Sequence, residues 1–436
     1  MEPVTVCVAA TGVVAVLLTR PIWGLIVYLA VLLWYPSYLV FGPAEFYVSA
    51  QRAVGIVLLA KHVANPSMRA RFRWCQLDVA VVVYMALNVA TLLLAGETLV
   101  VLRNRAGFMM DTVVVYFLIR LIVVSRSEFM TFVAAVGVLL LPLGVLGGIE
   151  MCTGWNPFAP LLAYCPWYAV ESYQHLARSG YHRAVGTTAQ PIVFGLIFAT
   201  LLPLVLLLRR HTGSLRRLWW LFAMSMALGA ISSVSSTPMI GITVAFLLVF
   251  MARFQRWAMV LLILLCIGCA GVEFASNRHF WTVLTEHVAF DRANAWYRGR
   301  LVEAAVEFLP QYWAYGYGYG DWGWGPWLNS SSGMDVCNEY VWQLGKHGVF
   351  VLMAFLWMLA AAAGSVRHAH CSQSDRLARA SAWALGSSLV TLMIMFFGVS
   401  LFSTMLSILY CILGLCAGEP ARPTVRSTTL LGGLSG

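Results

Sequence analysis

Side chains able to do chemistry gather in three places along the sequence. The first is Tyr181-His182-Arg183-Ala184-Val185-Gly186-Thr187-Thr188-Ala189-Gln190-Pro191, where a Gly-Thr-Thr turn at a helix start can offer backbone N–H groups to an anion. The second is Trp296-Tyr297-Arg298-Gly299-Arg300-Leu301-Val302-Glu303-Ala304-Ala305-Val306-Glu307-Phe308-Leu309-Pro310, which reads as a helix stopped by Pro310. Arg300, Glu303 and Glu307 follow one another at helical spacing, so they share a face, either as a solvated ion-pair surface or as part of a site. The third is Met334-Asp335-Val336-Cys337-Asn338-Glu339-Tyr340, leading to Gly345-Lys346-His347-Gly348. Between the last two lies a strip, Tyr312-Trp313-Ala314-Tyr315-Gly316-Tyr317-Gly318-Tyr319-Gly320-Asp321-Trp322-Gly323-Trp324, in which glycines alternate with flat rings. Apolar faces edged with hydroxyl and N–H groups suit sugar rings. The strip is not a nucleotide-binding loop, since no strand precedes it and no Lys-Ser/Thr follows.

Other reactive residues carry less. Cys266 and Cys269 have CxxC spacing inside an apolar run, where buried helix packing is expected. Asp111 and Arg120 are ionisable groups in one apolar run, and snorkelling to the membrane surface accounts for them as well as a proton path does. Cys152 and Cys165 share an outer loop in which a disulfide is permitted but not demanded. His175 and His182 lack carboxylate company, so no metal site is expected.

The elements that must position these residues are membrane helices. Of 436 residues 61% are hydrophobic and 11% charged, against roughly 25% charged in a soluble domain, and mean hydropathy is +0.80. An ordinary cytosolic enzyme, a disordered chain and a nucleic-acid-binding protein are excluded, despite a net charge of +10. A bilayer core of roughly 30 Å asks for apolar runs of about 17–25 residues. Such runs, several of them short, lie near 4–19, 22–41, 52–65, 78–95, 107–124, 129–148, 191–208, 218–233, 239–252, 257–273, 349–364, 380–397 and 400–417. The expected fold is therefore an all-α polytopic bundle of about 12–14 transmembrane helices. It divides into N-terminal helices (1–148), an outer loop (149–190), central helices (191–273), an aromatic-rich outer loop (274–348), C-terminal helices (349–417) and a flexible inner tail (418–436). Basic residues set the orientation: loops 66–77, 209–217, 253–256 and 365–379 fall on one side under strict alternation, which the positive-inside rule makes cytoplasmic. Both long loops then face outward, and the larger holds seven of the 17 tryptophans.

In that order and on that side, the motifs resemble those of the O-antigen polymerase and O-antigen ligase superfamily of bacterial integral membrane glycosyltransferases. The likeness spans roughly residues 183–364. It is carried by Arg183 with Gly186-Thr187-Thr188 and Pro191, by Ser232-Ser233-Val234-Ser235-Ser236, by Arg298 within Tyr297-Arg298-Gly299-Arg300-Leu301, by Tyr315-Gly316-Tyr317-Gly318, and by Asp335 to Tyr340 with Gly345 and Gly348. The resemblance implies transfer of a glycan from undecaprenyl diphosphate to an acceptor glycan at the periplasmic face of the inner membrane, without metal or other cofactor. Partners would be the lipid bilayer and other envelope polysaccharide assembly proteins, with no nucleic acid.

A departing diphosphate needs fixed cations, and an arginine fork stays charged and grips phosphate oxygens in pairs. Arg183 and Arg298 are expected there, with Arg300 next. Asp335 is the expected proton acceptor for the attacking hydroxyl, with Glu303 and Glu307 as alternatives. Tyr315, Tyr317, Trp322 and Asn338 are the expected sugar contacts. Two positions depart from the pattern. Cys337 stands where ligase-like members usually carry His, and Ser235-Ser236-Thr237 lacks an Arg often found after Ser at that turn. The departures favour a polymerase over a ligase. A lipid-oligosaccharide transporter and an inactive assembly scaffold are the readings from other classes.

Overall fold

A computed structural model describes residues 1–42, 47–95, 98–165, 177–178, 180–210, 214–254, 260, 267, 292–329 and 334–418. Helix α1 (Glu2–Leu18) and α2 (Pro21–Trp34) each carry proline in the first turn, where no backbone N–H is needed. The antiparallel ribbon of β1 (Val40–Phe41) and β2 (Val48–Ser49) pairs Val40 with Ser49 and leads into α3 (Ala50–Ala64). There follow α4 (Pro66–Arg71), α5 (Gln76–Leu94), α6 (Thr98–Asp111) and α7 (Val113–Ile122). The apolar run over 107–124 is thus two helices, divided at Thr112.

Helix α8 (Arg126–Thr153) opens with a reciprocal cap: the Glu128 N–H donates to Ser125 Oγ (3.3 Å) and the Ser125 N–H to Glu128 Oε2 (2.8 Å). A second ribbon, β3 (Ala177–Arg178) with β4 (Tyr181–His182), precedes α9 (Pro191–Val205), α10 (Trp219–Ser232) and α11 (Ser236–Met251). The remaining helices are α12 (Arg292–Glu307), α13 (Leu309–Tyr312), α14 (Glu339–His347), α15 (Val349–Ser372), α16 (Arg376–Met395) and α17 (Thr404–Ala417). Among the described residues the only strands are those of the two ribbons, so the fold is all-α.

Five helical stretches are long and apolar enough to cross a membrane: Gln76–Leu94, Arg126–Thr153, Pro191–Arg210, Val349–Ser372 and Arg376–Met395. Apolar but shorter are α1, α2, α10, α11 and α17. Apart from Val260 and Ile267, the run at 257–273 lies outside the described residues, with Cys266 and Cys269, as does His175. Cys152 is an exposed free thiol, whereas Cys165 packs with Tyr38, Leu39 and Leu162.

Asp111 and Arg120 do not snorkel. The Arg52 fork closes on both oxygens of Asp111, and Arg120, 5% exposed, binds the fully buried Asp78, which also accepts from Tyr116 Oη (2.6 Å). Apolar surroundings make a nearby counter-charge cheaper than a reach to water, and removing one partner of the buried pair would cost roughly 3–5 kcal/mol.

At the centre lies α9, packed on α10, α11 and α16 and buried along its length. With the tight turn after it, α9 spans 20 residues, about 30 Å of rise. Its start lies with the start of α11 and the end of α16. At the far end a cavity of about 370 Å³ is lined by Arg209, Arg210, Arg253, Arg376 and Arg379. The basic connections thus share one end of the bundle, and Arg183 and the aromatic strip belong to the other.

Candidate functional site

Arg183 leaves β4 and turns back onto the bundle. The Ala184 N–H donates to Ser232 O (2.9 Å), fastening this segment to the end of α10. Arg183 Nε donates to Ser233 O (3.3 Å) and Nη2 to Ser235 Oγ (2.7 Å), so the α10–α11 turn aims the guanidinium. That turn needs Val234 at φ +43, a backbone conformation strained for a β-branched residue. The Gly-Thr-Thr turn does not await an external anion. Its Gly186 N–H donates to Glu150 Oε2 (3.0 Å), and the Thr187 and Thr188 hydroxyls donate to Leu33 O and Val185 O. Gly186 sits at φ +53 against the Phe194 ring, where a Cβ would fall 2.3 Å from a ring carbon. The turn therefore serves packing, with an internal carboxylate as its anion.

Opposite stands α12, whose Tyr297 and Arg298 meet the segment before α14. Tyr297 Oη donates to Asp335 O (3.0 Å) and accepts from the Asp335 N–H (3.1 Å), pinning that residue's backbone at both ends. Burial raises the Asp335 carboxyl pKa, and the Arg298 charge opposes the rise. Burial also pushes the Cys337 thiol up, against the charge of Arg298, so Cys337 stays a neutral thiol at physiological pH.

Arg178, Arg183 and Arg298 line one cavity of about 780 Å³ with a single carboxylate, Asp335. Its remaining wall is made by Gln190, by the first residues of α11 from Ser236, by Trp342 and by Gly398–Phe402. Among the described residues three arginines, from two segments far apart in sequence, and one carboxylate therefore surround one space at the end of the bundle away from the basic connections. Such an arrangement can hold an anion by its oxygens and accept a proton beside it.

The other expected residues lie elsewhere. Arg300 Nη1 donates to Glu303 Oε2 (2.8 Å), and its guanidinium lies over the Trp327 ring at 4.5 Å, so the pair forms the ion-pair face and does not line the cavity. Glu307 is exposed. The aromatic strip is mostly a small core of its own, joined by Leu301, Ala304 and Val336. Trp322 is 7% exposed, stacks on Tyr317 at 5.9 Å and covers Gly345, while Tyr317 also meets Tyr312 at 4.8 Å. Tyr315 is half exposed but lies off the cavity. Asn338 caps α14, its Oδ1 accepting from the Val341 N–H (3.1 Å). Tyr315, Tyr317, Trp322 and Asn338 are therefore not on the cavity wall: the rings bury apolar area against each other, and the helix start takes the amide.

Gly316 and Gly318 tie this core to α14. The Tyr317 N–H donates to Gly345 O (2.8 Å) and the Gly318 N–H to Lys346 O (3.0 Å), with both glycines at positive φ. Sequence reasoning missed two parts of the site. One is Gly398–Phe402, whose only signal is the short glycine-containing break between two apolar runs. The other is Glu339, buried behind that wall, which accepts from the Leu401 N–H and from Gln343 Nε2. Burial pushes its carboxyl up to about 7, and the Lys346 charge opposes the rise.

Among the described residues no three His, Cys, Asp or Glu side chains group as metal ligands. No protein-family model matches the chain, and no curated protein matches it.

Proposed function

We propose that the chain is a multi-pass glycosyltransferase of the bacterial inner membrane. It moves a glycan from undecaprenyl diphosphate to an acceptor glycan on the periplasmic side, as a polymerase of O-antigen or exopolysaccharide units. The observation that carries this reading is the meeting of Arg183, Arg298 and Asp335 around one cavity.

In the reaction the acceptor hydroxyl attacks the anomeric carbon, and its proton passes to the Asp335 carboxylate as the new C–O bond forms. The bond from the anomeric carbon to the diphosphate oxygen breaks, and that oxygen keeps the electron pair. Arg183 and Arg298 meet the developing charge from two sides, with Arg178 near them on the wall. Because Ser233 and Ser235 hold the Arg183 guanidinium before substrate arrives, little reorganisation is needed there as charge appears. The raised pKa of Asp335 makes it a better proton acceptor than an ordinary surface carboxylate. Cys337, a neutral thiol beside the charge of Arg298, does not replace the imidazole of the ligase-like pattern, which supports a polymerase.

Purified protein given a polyprenyl-diphosphate oligosaccharide in detergent tests the reading. Wild type should lengthen chains, and Arg183→Ala or Arg298→Ala should lower the rate by roughly 100- to 1,000-fold while inserting normally. Unchanged elongation by either variant removes that arginine from the reaction. Transfer only to lipid A core would make the protein a ligase, and no product at all would favour a transporter.

A further inference from the structure

A second cavity, of about 720 Å³, adjoins the first, and Gln190 and Phe402 line both. It is built from the β1–β2 ribbon, the starts of α3 and α17, α6, and Tyr319 of the aromatic strip. Among the described residues three arginines, Arg52, Arg103 and Arg105, line it against one carboxylate, Asp111. Arg52 and Asp111 neutralise each other through two bonds, Nε to Oδ1 at 3.0 Å and Nη2 to Oδ2 at 2.6 Å. Arg105 has only neutral acceptors: Nη1 donates to Asn88 Oδ1 (2.7 Å) and Nη2 to Tyr319 Oη (2.9 Å). Arg103 is exposed on the wall and makes no hydrogen bond or ion pair among the described residues. Among the described residues two positive charges are thus left without a counter-ion on the wall of a cavity beside the first.

The wall also carries unmet hydrogen-bonding groups. Arg105 Nε, Tyr38 Oη and Gln51 Oε1 are buried with no partner among the described residues, and Tyr38 and Gln51 are only 1% and 5% exposed. A buried polar atom left without a partner is costly, so three on one wall mark a place whose polar partners come from outside the chain. The first cavity has none of these orphaned atoms on its wall. Tyr38, Tyr47 and Tyr319 supply ring faces of the kind that pack on sugars, and Asn104 adds an amide.

We infer that this second cavity holds the acceptor of the same reaction and selects acceptors bearing an anionic group, a carboxylate or a phosphate. The inference rests on the donor reading above, because an acceptor hydroxyl has to reach the anomeric carbon of a glycan whose diphosphate lies at Arg183 and Arg298. Chambers that share Gln190 and Phe402 as a wall place the two substrates side by side. A neutral acceptor would leave Arg103 and Arg105 unanswered, whereas a carboxylate or phosphate oxygen would satisfy them bidentately.

Binding without turnover tests this on the purified full-length protein in detergent. The probes are cellobiouronic acid, its neutral counterpart cellobiose, and farnesyl diphosphate. Cellobiouronic acid should bind roughly tenfold tighter than cellobiose, a difference of about 1.4 kcal/mol. That preference should vanish in Arg103→Ala and Arg105→Ala and persist in Arg183→Ala. Arg103→Ala keeps the test sound should Arg105→Ala misfold, because the Arg103 side chain braces nothing. If Arg103→Ala instead weakens farnesyl diphosphate and leaves the disaccharides alike, anion selection stands and its source is a lipid diphosphate. Equal affinity for both disaccharides, with farnesyl diphosphate binding untouched by Arg103→Ala and Arg105→Ala, overturns the inference. Farnesyl diphosphate binding that survives Arg183→Ala and Arg298→Ala overturns the donor reading instead, and the disaccharide comparison still decides the second cavity.

Discussion

Arginine crowds both ends of the helix bundle, and the two populations are held differently. At the end reached by Arg209, Arg210, Arg253, Arg376 and Arg379 every one of these side chains is exposed, and Arg210 donates only to a backbone carbonyl, Arg376 O. No carboxylate lines the cavity they surround. At the opposite end Arg183, Arg298, Arg52 and Arg105 are part-buried; serines fix Arg183, a carboxylate fixes Arg52, an amide and a phenol fix Arg105, and Arg298 lies where its charge acts on Asp335 and Cys337. One residue type therefore serves two purposes. Loose exposed guanidiniums supply bulk charge of the kind that sets orientation in a membrane, while a fixed one can act on a reacting group, because its ordering cost is met in folding.

The sharpest way to break this contrast is to make the same change at both ends. Arg298→Lys keeps the charge and loses the fork, and should cut elongation on the order of a hundredfold. Arg376→Lys should leave elongation within about twofold, as expected where only charge matters. Equal losses in radiolabelled chain-length assays would erase the distinction between fixed and loose arginine.

Asp335 sharpens it further, because the far cavity has no equivalent. Asp335→Asn should slow elongation by roughly 100-fold or more. Only the ionised carboxylate accepts the proton, and burial raises its pKa above the ordinary value of 3.8. The wild-type rate should therefore fall as pH drops through that raised value, with an acid limb displaced upward from that of an unperturbed aspartate. An acid limb that is unchanged in Asp335→Asn would remove Asp335 from proton transfer.

The smallest effect compares two glycines. Gly316 lies at φ +75 with its missing Cβ 2.3 Å from the Lys346 carbonyl carbon, so Gly316→Ala should lift the aromatic core from α14 and destabilise by about 1–3 kcal/mol. Gly364 in α15 faces open space, and Gly364→Ala should be neutral or stabilising by up to about 1 kcal/mol. Thermal melts in detergent that rank the two variants the other way would show that the strip is not clamped through Gly316.

Much of this was legible in the sequence where the signal is local. Apolar runs marked the chain as helical and fit for a membrane, and Arg183, Arg298 and Asp335 stood out as charges between those runs. What failed were inferences about exposure. Tyr317 and Trp322 look like a sugar platform because the sequence shows ring type and spacing but not which faces are covered; Trp322 lies over Gly345, a contact no local pattern encodes. The Gly-Thr-Thr turn looked like an anion site for the same reason, and its anion is Glu150.

By itself, then, the sequence determined an apolar helical chain, with basic connections separate from aromatic and charged segments, because hydropathy and helix signals act over one or a few turns. Only the tertiary structure decided that Arg183 and Arg298 share a cavity, that Gly398–Phe402 walls it, and that a second arginine-lined chamber stands beside it. Those contacts join segments through the packing of α9, α11 and α16, and packing depends on every interface at once rather than on any one stretch of residues.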